Sequence, residues 1–293
     1  MVTIGWNGEL KSTDEAMISV ADHGFLYGMT LFETIRTYGG KPFLWERHLE
    51  RLCSACDEVG ILLQLDEKKL RQHIREVMEA NQLPEAYIRL TISAGEHGEG
   101  LPIGDYTNPQ VIVFARPLPQ LPESLYETGK PLQLLSTRRS SPETAIRVKS
   151  GHYMNNIIAK RELSKYPSAQ QGAEGLMLNT ACNIAEGIVS NVFWIKAGQL
   201  YTPAIETGIL PGITRAAVLA LVEQQGVRYE EGAYTWSHLL EADEVFLTTS
   251  IQELVPVTLL CDTEQQRYVV GDGRIGRLTK KLLEQYRQMA TSG

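Results

Sequence analysis

Arg147-Val148-Lys149-Ser150-Gly151-His152-Tyr153-Met154-Asn155-Asn156 is the stretch on which the reading of this chain turns. An apolar-rich segment leads into it, with Leu132, Leu134 and Leu135 upstream and Ile146 and Val148 closer in. Met154, Ile157 and Ile158 follow at helical spacing, then the charged run Lys160-Arg161-Glu162. The pattern predicts a strand ending at Lys149, a turn, and a helix over 153–166. A lysine at a strand end is either a solvated surface charge or a desolvated amine. Desolvation disfavours the ammonium form and makes the amine nucleophilic near neutral pH. The rest of the chain must decide between the two.

Composition narrows the classes. With 293 residues, 43% hydrophobic and 22% charged, the chain can build two domains, or one large α/β domain, around a real core. A net charge of −7 argues against a nucleic-acid partner and gives no support for docking on anionic membranes. No apolar run reaches the ~18 residues of a membrane helix. Met1-Val2-Thr3-Ile4-Gly5-Trp6 lacks the basic and apolar regions of a signal peptide. A cytoplasmic protein is expected. Cys53 and Cys56 have C-x-x-C spacing but sit inside a helical pattern, and Cys182 and Cys261 are isolated. All four are read as buried reduced thiols, with no metal site.

Working outward toward the N-terminus, Asn7-Gly8 marks a hairpin and residues 16–20 read as a strand. Asp22-His23-Gly24-Phe25-Leu26-Tyr27-Gly28 is a loop rich in glycine and aromatic rings. Strands are predicted at 32–38, 87–93 and 111–115, and amphipathic helices at 45–59 and 66–81. In the strand at 87–93, Tyr87, Arg89 and Thr91 share a face. Prolines 117, 119 and 122 make 117–130 the candidate linker. Beyond it, strands are expected at 175–179, within 184–195, at 200–203 and at 242–250, with helices at 213–226 and 275–289.

Four further signals bear on Lys149. Glu186 is a lone acid among Ile184, Ile188, Val189 and Val192; it is buried with a partner or faces outward from an edge strand. Pro211-Gly212-Ile213-Thr214 opens a helix, as an anion cup or as a plain threonine cap. Thr248-Thr249-Ser250 puts three hydroxyls at a strand end. Arg51 could add positive charge for a phosphate. A lysine amine, an acid and a phosphate cup are together what pyridoxal phosphate requires. No P-loop and no convincing G-x-G-x-x-G motif competes with that reading.

These residues carry a resemblance. The ordered set Tyr27-Gly28, Phe32-Glu33, His48-Leu49-Glu50-Arg51-Leu52, Tyr87-Ile88-Arg89, Lys149, Glu186-Gly187 with Ser190-Asn191, Leu210-Pro211-Gly212-Ile213-Thr214-Arg215 and Thr249-Ser250 resembles the fold-type IV pyridoxal-phosphate enzymes over nearly the whole chain. That resemblance implies an α/β (α+β) protein of two domains: a smaller N-terminal α/β sandwich (1–116), a linker (117–130) and a larger C-terminal pseudo-barrel domain (131–293) that binds the cofactor. It implies that Lys149 is the Schiff-base lysine and Glu186 the partner of the pyridine nitrogen, with Arg51, Ile213, Thr214 and Ser250 on the phosphate. Tyr27, Tyr87, Arg89, Tyr153 and Ile251 are carried over as substrate-binding. It further implies a homodimer, with the active site near the subunit interface and between the domains. Within the family, the stretch from Arg147 to Asn156, Ala159-Lys160-Arg161-Glu162 and the loop from Asp22 to Gly28 look like the aminodeoxychorismate lyases. Thr34 follows Phe32-Glu33 where branched-chain aminotransferases usually have glycine, so Thr34 joins Lys149 as an expected catalytic residue. A β-branched residue that merely suits a strand is the plain alternative for Thr34. An aminotransferase of D-amino acids or branched-chain L-amino acids is the other reading of the whole chain.

Overall fold

The computed structural model describes residues 2–292, which form two compact units. One comprises the chain up to Pro119 together with Val148–His152; the other comprises Gln120–Arg147 and Tyr153–Ser292.

The first unit is an antiparallel sheet of six strands: β1 (Thr3–Trp6), β2 (Glu9–Ser12), β3 (Thr30–Tyr38), β4 (Lys41–Pro42), β5 (Tyr87–Ser93) and β6 (Gln110–Arg116), in the order β2-β1-β6-β5-β3-β4. Three helices accompany it: α1 (His23–Tyr27), α2 (Trp45–Glu58) and α3 (Glu67–Ala80). Strand alternation separates two faces. Leu31 and Ile35 of β3, Ile88, Leu90 and Ile92 of β5, and Val113 and Ala115 of β6 are buried in one core with Trp45, Leu52 and Cys56 of α2 and Leu70, Ile74 and Val77 of α3. Each large side chain so buried contributes about 1.5–3 kcal/mol. The other face carries Phe32, Thr34, Tyr87, Arg89 and Thr91, with Thr34 directly opposite Arg89 and Phe32 opposite Thr91. The shared face expected for Tyr87, Arg89 and Thr91 is therefore present.

The second unit holds α4 (Ser124–Thr128), α5 (Met154–Leu163), α6 (Ile213–Gln224), α7 (Trp236–Leu240) and α8 (Arg277–Ser292). Its nine strands are β7 (Lys130–Leu134), β8 (Glu174–Leu178), β9 (Ile184–Gly187), β10 (Asn191–Lys196), β11 (Gln199–Pro203), β12 (Tyr229–Gly232), β13 (Glu244–Thr249), β14 (Glu253–Cys261) and β15 (Arg267–Val269). They order as β12-β11-β10-β13-β14-β7-β8-β9, with β15 on β14. The sheet is mixed, since β7 runs parallel to both β14 and β8. β9, at one end of that order, also packs against β10 and β11. Near-continuous apolar strands such as Val192-Phe193-Trp194-Ile195 are buried on both faces, as a covered sheet requires.

Several expectations change. Residues 16–20 form no strand; Met17 and Val20 are well exposed there. The strand before Lys149 ends at Leu134, and residues 135–147 run irregularly to the lysine. An apolar run reads the same whether it is laddered or simply buried, and Leu135 is buried without being in a strand. The run at 184–195 is two strands broken at 188–190. The expected linker at 117–130 carries α4, and the second unit takes the chain from Gln120. Lys149 groups with the first unit and not with the C-terminal domain expected over 131–293, because residues 149–151 bond to β3. Cys182 is exposed, unlike buried Cys56 and Cys261.

Candidate active site

Lys149 is held by backbone. Its carbonyl accepts from Phe32 N at 2.9 Å, Ser150 bridges Leu31, and Gly151 N donates to Thr30 O at 2.8 Å. A Cβ on Gly151 would lie 2.0 Å from Thr30 Oγ1, so only glycine permits this approach. The Lys149 amine stands 4.5 Å from the centre of the Phe32 ring, and the Arg89 guanidinium 3.6 Å from the same ring. Phe32 thus gathers the expected base and the expected carboxylate ligand by cation–π attraction. Thr34 lies beside them in register. Tyr87 is farther along β5, opposite Arg36. Tyr27 ends α1, its ring edge-on to buried His23 at 4.8 Å.

Arg51 reaches β3 from α2, at the position between Phe32 and Thr34. Its Nε and Nη2 donate to the two Glu33 carboxylate oxygens at 2.7 and 2.6 Å, and His48 Nδ1 lies 2.7 Å from Glu33 Oε2. Burial works to raise the Glu33 pKa, but the Arg51 charge and the bonds from His48 and Arg51 outweigh it and hold the carboxyl at about 2. Burial also lowers the His48 pKa, against the pull of Glu33. Glu33 therefore stabilises the fold above its ordinary value of 4.5, and that contribution is lost as pH falls from 4.5 toward about 2. Glu33→Gln is expected to flatten the unfolding free energy across that window by up to about 3 kcal/mol. Parallel acid-denaturation curves for the variant and the parent would refute this.

In the second unit the centre is Glu186, buried on β9. Arg139 Nε donates to its Oε1 at 2.7 Å. Leu210 N and Asn191 Nδ2 donate to its Oε2 at 2.9 and 3.3 Å. Arg139 Nη1 donates to Asn155 Oδ1 at 2.9 Å. The lone acid of this apolar run is thus buried with an ionic partner, which excludes the outward-facing alternative. Asn191 also donates to Leu210 O at 2.9 Å, tying Glu186 to the segment that enters α6. Arg147, itself buried, donates from Nε to Gly208 O at 2.6 Å and steadies the same segment.

α6 begins at Ile213 and Thr214 after Gly212, and no side chain caps its first turn; the threonine-cap alternative does not hold. A Cβ on Gly212 would lie 2.0 Å from Asn191 Oδ1. Thr248, paired with Asn191 across β10 and β13, has a buried hydroxyl with no hydrogen-bond partner. Ser250 and Ile251 follow the end of β13, and Tyr153 precedes α5. An uncapped helix start behind an obligatory glycine, with an unpartnered buried hydroxyl on the strand that pairs with Asn191, suits an anionic phosphate ester. A carboxylate fixed by an arginine suits a cationic ring nitrogen. The residues present therefore fit pyridoxal phosphate.

The amino-transferase class IV family model matches residues 30–260. This chain belongs to that family. Aminodeoxychorismate lyase of Bacillus subtilis (strain 168) is 39% identical over 254 residues, covering 86% of this chain and 84% of its own. Among solved structures, a branched-chain amino acid aminotransferase of T.th. with pyridoxamine 5'-phosphate superposes with a TM-score of 0.85 at 26% identity, covering 99% of this chain and 94% of its own. The 4-amino-4-deoxychorismate lyase of Pseudomonas aeruginosa gives 0.83 at 29%, covering 97% and 98%.

In this class IV chain the expected site residues divide between the units. Lys149, Thr34, Arg51, Tyr27, Tyr87 and Arg89 lie in the first; Glu186, Ile213, Thr214, Ser250, Tyr153 and Ile251 lie in the second. Sequence reading did not single out Arg139, Arg147, Asn191 or His48 for roles. Each acts by holding another polar group, and only the hydrophobic surroundings of Glu186 hinted that a cationic partner must exist. Among the described residues no His/Cys/Asp/Glu cluster could hold a metal, and no helix is long and apolar enough to cross a membrane.

Proposed function

We propose that this chain is a pyridoxal 5'-phosphate-dependent aminodeoxychorismate lyase, which converts 4-amino-4-deoxychorismate to 4-aminobenzoate and pyruvate. The observation that carries the reading is the register that sets Thr34 opposite Arg89, on the face where Phe32 meets the Lys149 amine. The likeness to the Bacillus subtilis lyase supports it.

When bound, the cofactor supplies an electron-accepting ring. Lys149 would hold it and, once its amine is free, would remove the proton from the substrate carbon bearing nitrogen. Glu186, fixed in place by Arg139, would pair with the ring nitrogen. Ile213, Thr214 and Ser250 take the phosphate, with Arg51 adding charge. The guanidinium of Arg89 takes a substrate carboxylate, and Tyr27, Tyr87, Tyr153 and Ile251 line the substrate. The enolpyruvyl carbon–oxygen bond then breaks as the substrate's own ring becomes aromatic. Lys149, directly or through the Thr34 hydroxyl, would deliver that proton to the enol methylene carbon, which gives pyruvate, and would then retake its place as 4-aminobenzoate leaves. The chain works as a cytoplasmic homodimer; the exposed Met17, Val20, Phe25 and Leu26 are apolar surface that a second copy would cover.

The test supplies 4-amino-4-deoxychorismate to purified protein and follows pyruvate and 4-aminobenzoate, with the sedimented mass read on the same preparation. Equimolar products and a mass of two 32.7 kDa chains are expected. Amino acids converted to oxo acids with no aromatic product would establish the aminotransferase instead. A single-chain mass would remove the dimer.

A further inference from the structure

Two separated stretches of the second unit are proposed above to grip phosphate, the first turn of α6 and the turn after β13. One helix braces both. Tyr286 and Arg287 are consecutive residues of α8, which packs against α6, β13 and β14 and is anchored by buried Leu282, Leu283 and Ala290. The Tyr286 hydroxyl, fully buried, lies 3.4 Å from Thr214 Oγ1. A hydroxyl has one hydrogen to donate and two lone pairs. With Tyr286 as donor, the Thr214 hydrogen is turned toward another acceptor. Arg287 Nε donates to Glu253 Oε2 at 2.7 Å. Glu253 is buried at φ +60°, a left-handed backbone that a non-glycine residue holds only when its surroundings enforce it.

The turn is tied down elsewhere too. The Arg287 guanidinium lies 4.3 Å from the centre of the Tyr126 ring, and Tyr126 Oη donates to Gln252 O at 3.3 Å. Buried Lys130 donates to Gln252 Oε1 at 2.8 Å, and Gln252 N donates to Thr249 Oγ1 at 2.8 Å. Thr249, Gln252 and Glu253 are thus held from behind, and they flank Ser250 and Ile251, the two residues assigned to ligands.

We propose that α8 is the strut of the phosphate site. Tyr286 and Arg287 are positioning residues that hold Thr214 and the 249–253 turn, and they set how tightly the phosphate ester is retained. The proposal rests on the reading of Thr214 and Ser250 as phosphate ligands. The full chain would be titrated with pyridoxal phosphate and with pyridoxal, which lacks the phosphate, comparing Tyr286→Phe, Arg287→Met, Arg287→Lys and Ser250→Ala with the parent. Tyr286→Phe and Arg287→Met are each expected to weaken pyridoxal phosphate about 3- to 10-fold. Pyridoxal affinity should not change, and Arg287→Lys should recover most of the loss. If Ser250→Ala weakens the phosphate ester while Tyr286→Phe and Arg287→Met bind normally, the strut is overturned and the ligand reading stands. If Ser250→Ala has no effect, the ligand reading itself falls. Equal weakening of both probes would show a general structural role and also overturn the strut. Tyr286→Phe keeps the ring and the packing, so it decides the question even where Arg287→Met does not fold.

Discussion

Lys149→Ala is expected to lower turnover by about 1000-fold, the scale on which a positioned proton-transfer group acts. The loss should be chemical and not structural. Three backbone links fix this segment to β3: Lys149 O to Phe32 N, the Ser150–Leu31 bridge, and Gly151 N to Thr30 O. None uses the lysine side chain. The amine touches the Phe32 ring, which keeps its core packing and its contact with Arg89 when the amine is gone. The thermal unfolding midpoint should therefore stay close to that of the parent. A small primary amine added to the variant should restore part of the activity, because the missing group is itself a primary amine. The measurements are pyruvate release with and without added amine, and a melting curve. Turnover within tenfold of the parent would remove Lys149 from the chemistry.

Arg139→Met should give the largest loss of stability. It removes the ionic partner of Glu186 and leaves a carboxylate in a nearly dry site, held by Leu210 N and Asn191 Nδ2. Breaking one side of a buried pair costs about 3–5 kcal/mol. The same change removes one of the donors to the Asn155 oxygen on α5, leaving the bond from Ser140 N at 3.2 Å. Removing both charges should cost less than removing one, so Arg139→Met with Glu186→Gln is expected to be more stable than Arg139→Met alone. Denaturant unfolding of the parent, the two single variants and the double variant reads this coupling directly. Additive losses would mean that the two groups do not stabilise each other. The double variant should remain nearly inactive, since stability returns without a partner for the ring nitrogen.

Much of the fold was legible in the chain because period and burial agree there. The strand at 87–93 has alternation on its own face, and it emerged with those bounds. The helices at 45–59 and 66–81 have clear apolar stripes, and they emerged within a residue or two. The errors came where one-dimensional pattern is blind. Residues 16–20 are apolar enough to read as a strand but find no neighbour to ladder with. The segment before Lys149 is irregular and partly buried: Leu135 and Arg139 donate to carbonyls of β8, while Ser136, Thr137 and Ser140 donate to side chains, so no continuous ladder forms. Lys149, Glu186 and the start of α6 could be nominated because their chemistry is unusual for their surroundings. Arg139 and Arg147 could not, because a buried arginine looks like any other until the carboxylate or carbonyl that holds it is known. Tyr286 and Arg287 lie some 70 residues from Thr214 and some 30 from Glu253, with no motif linking them.

The bonds between residues 149–151 and β3 also have a meaning for synthesis. The N-terminal part of β3, around Thr30 and Phe32, finds one neighbour in β5 but waits for its other until more than a hundred further residues have left the ribosome. Until then a growing chain shows an unpaired strand edge, the kind of surface that invites pairing with another chain. A fragment cut after Pro119 would keep that edge open permanently. The segment that delivers the reactive amine is thus also the one that closes the sheet, so an intact first unit and a placed lysine come into being together.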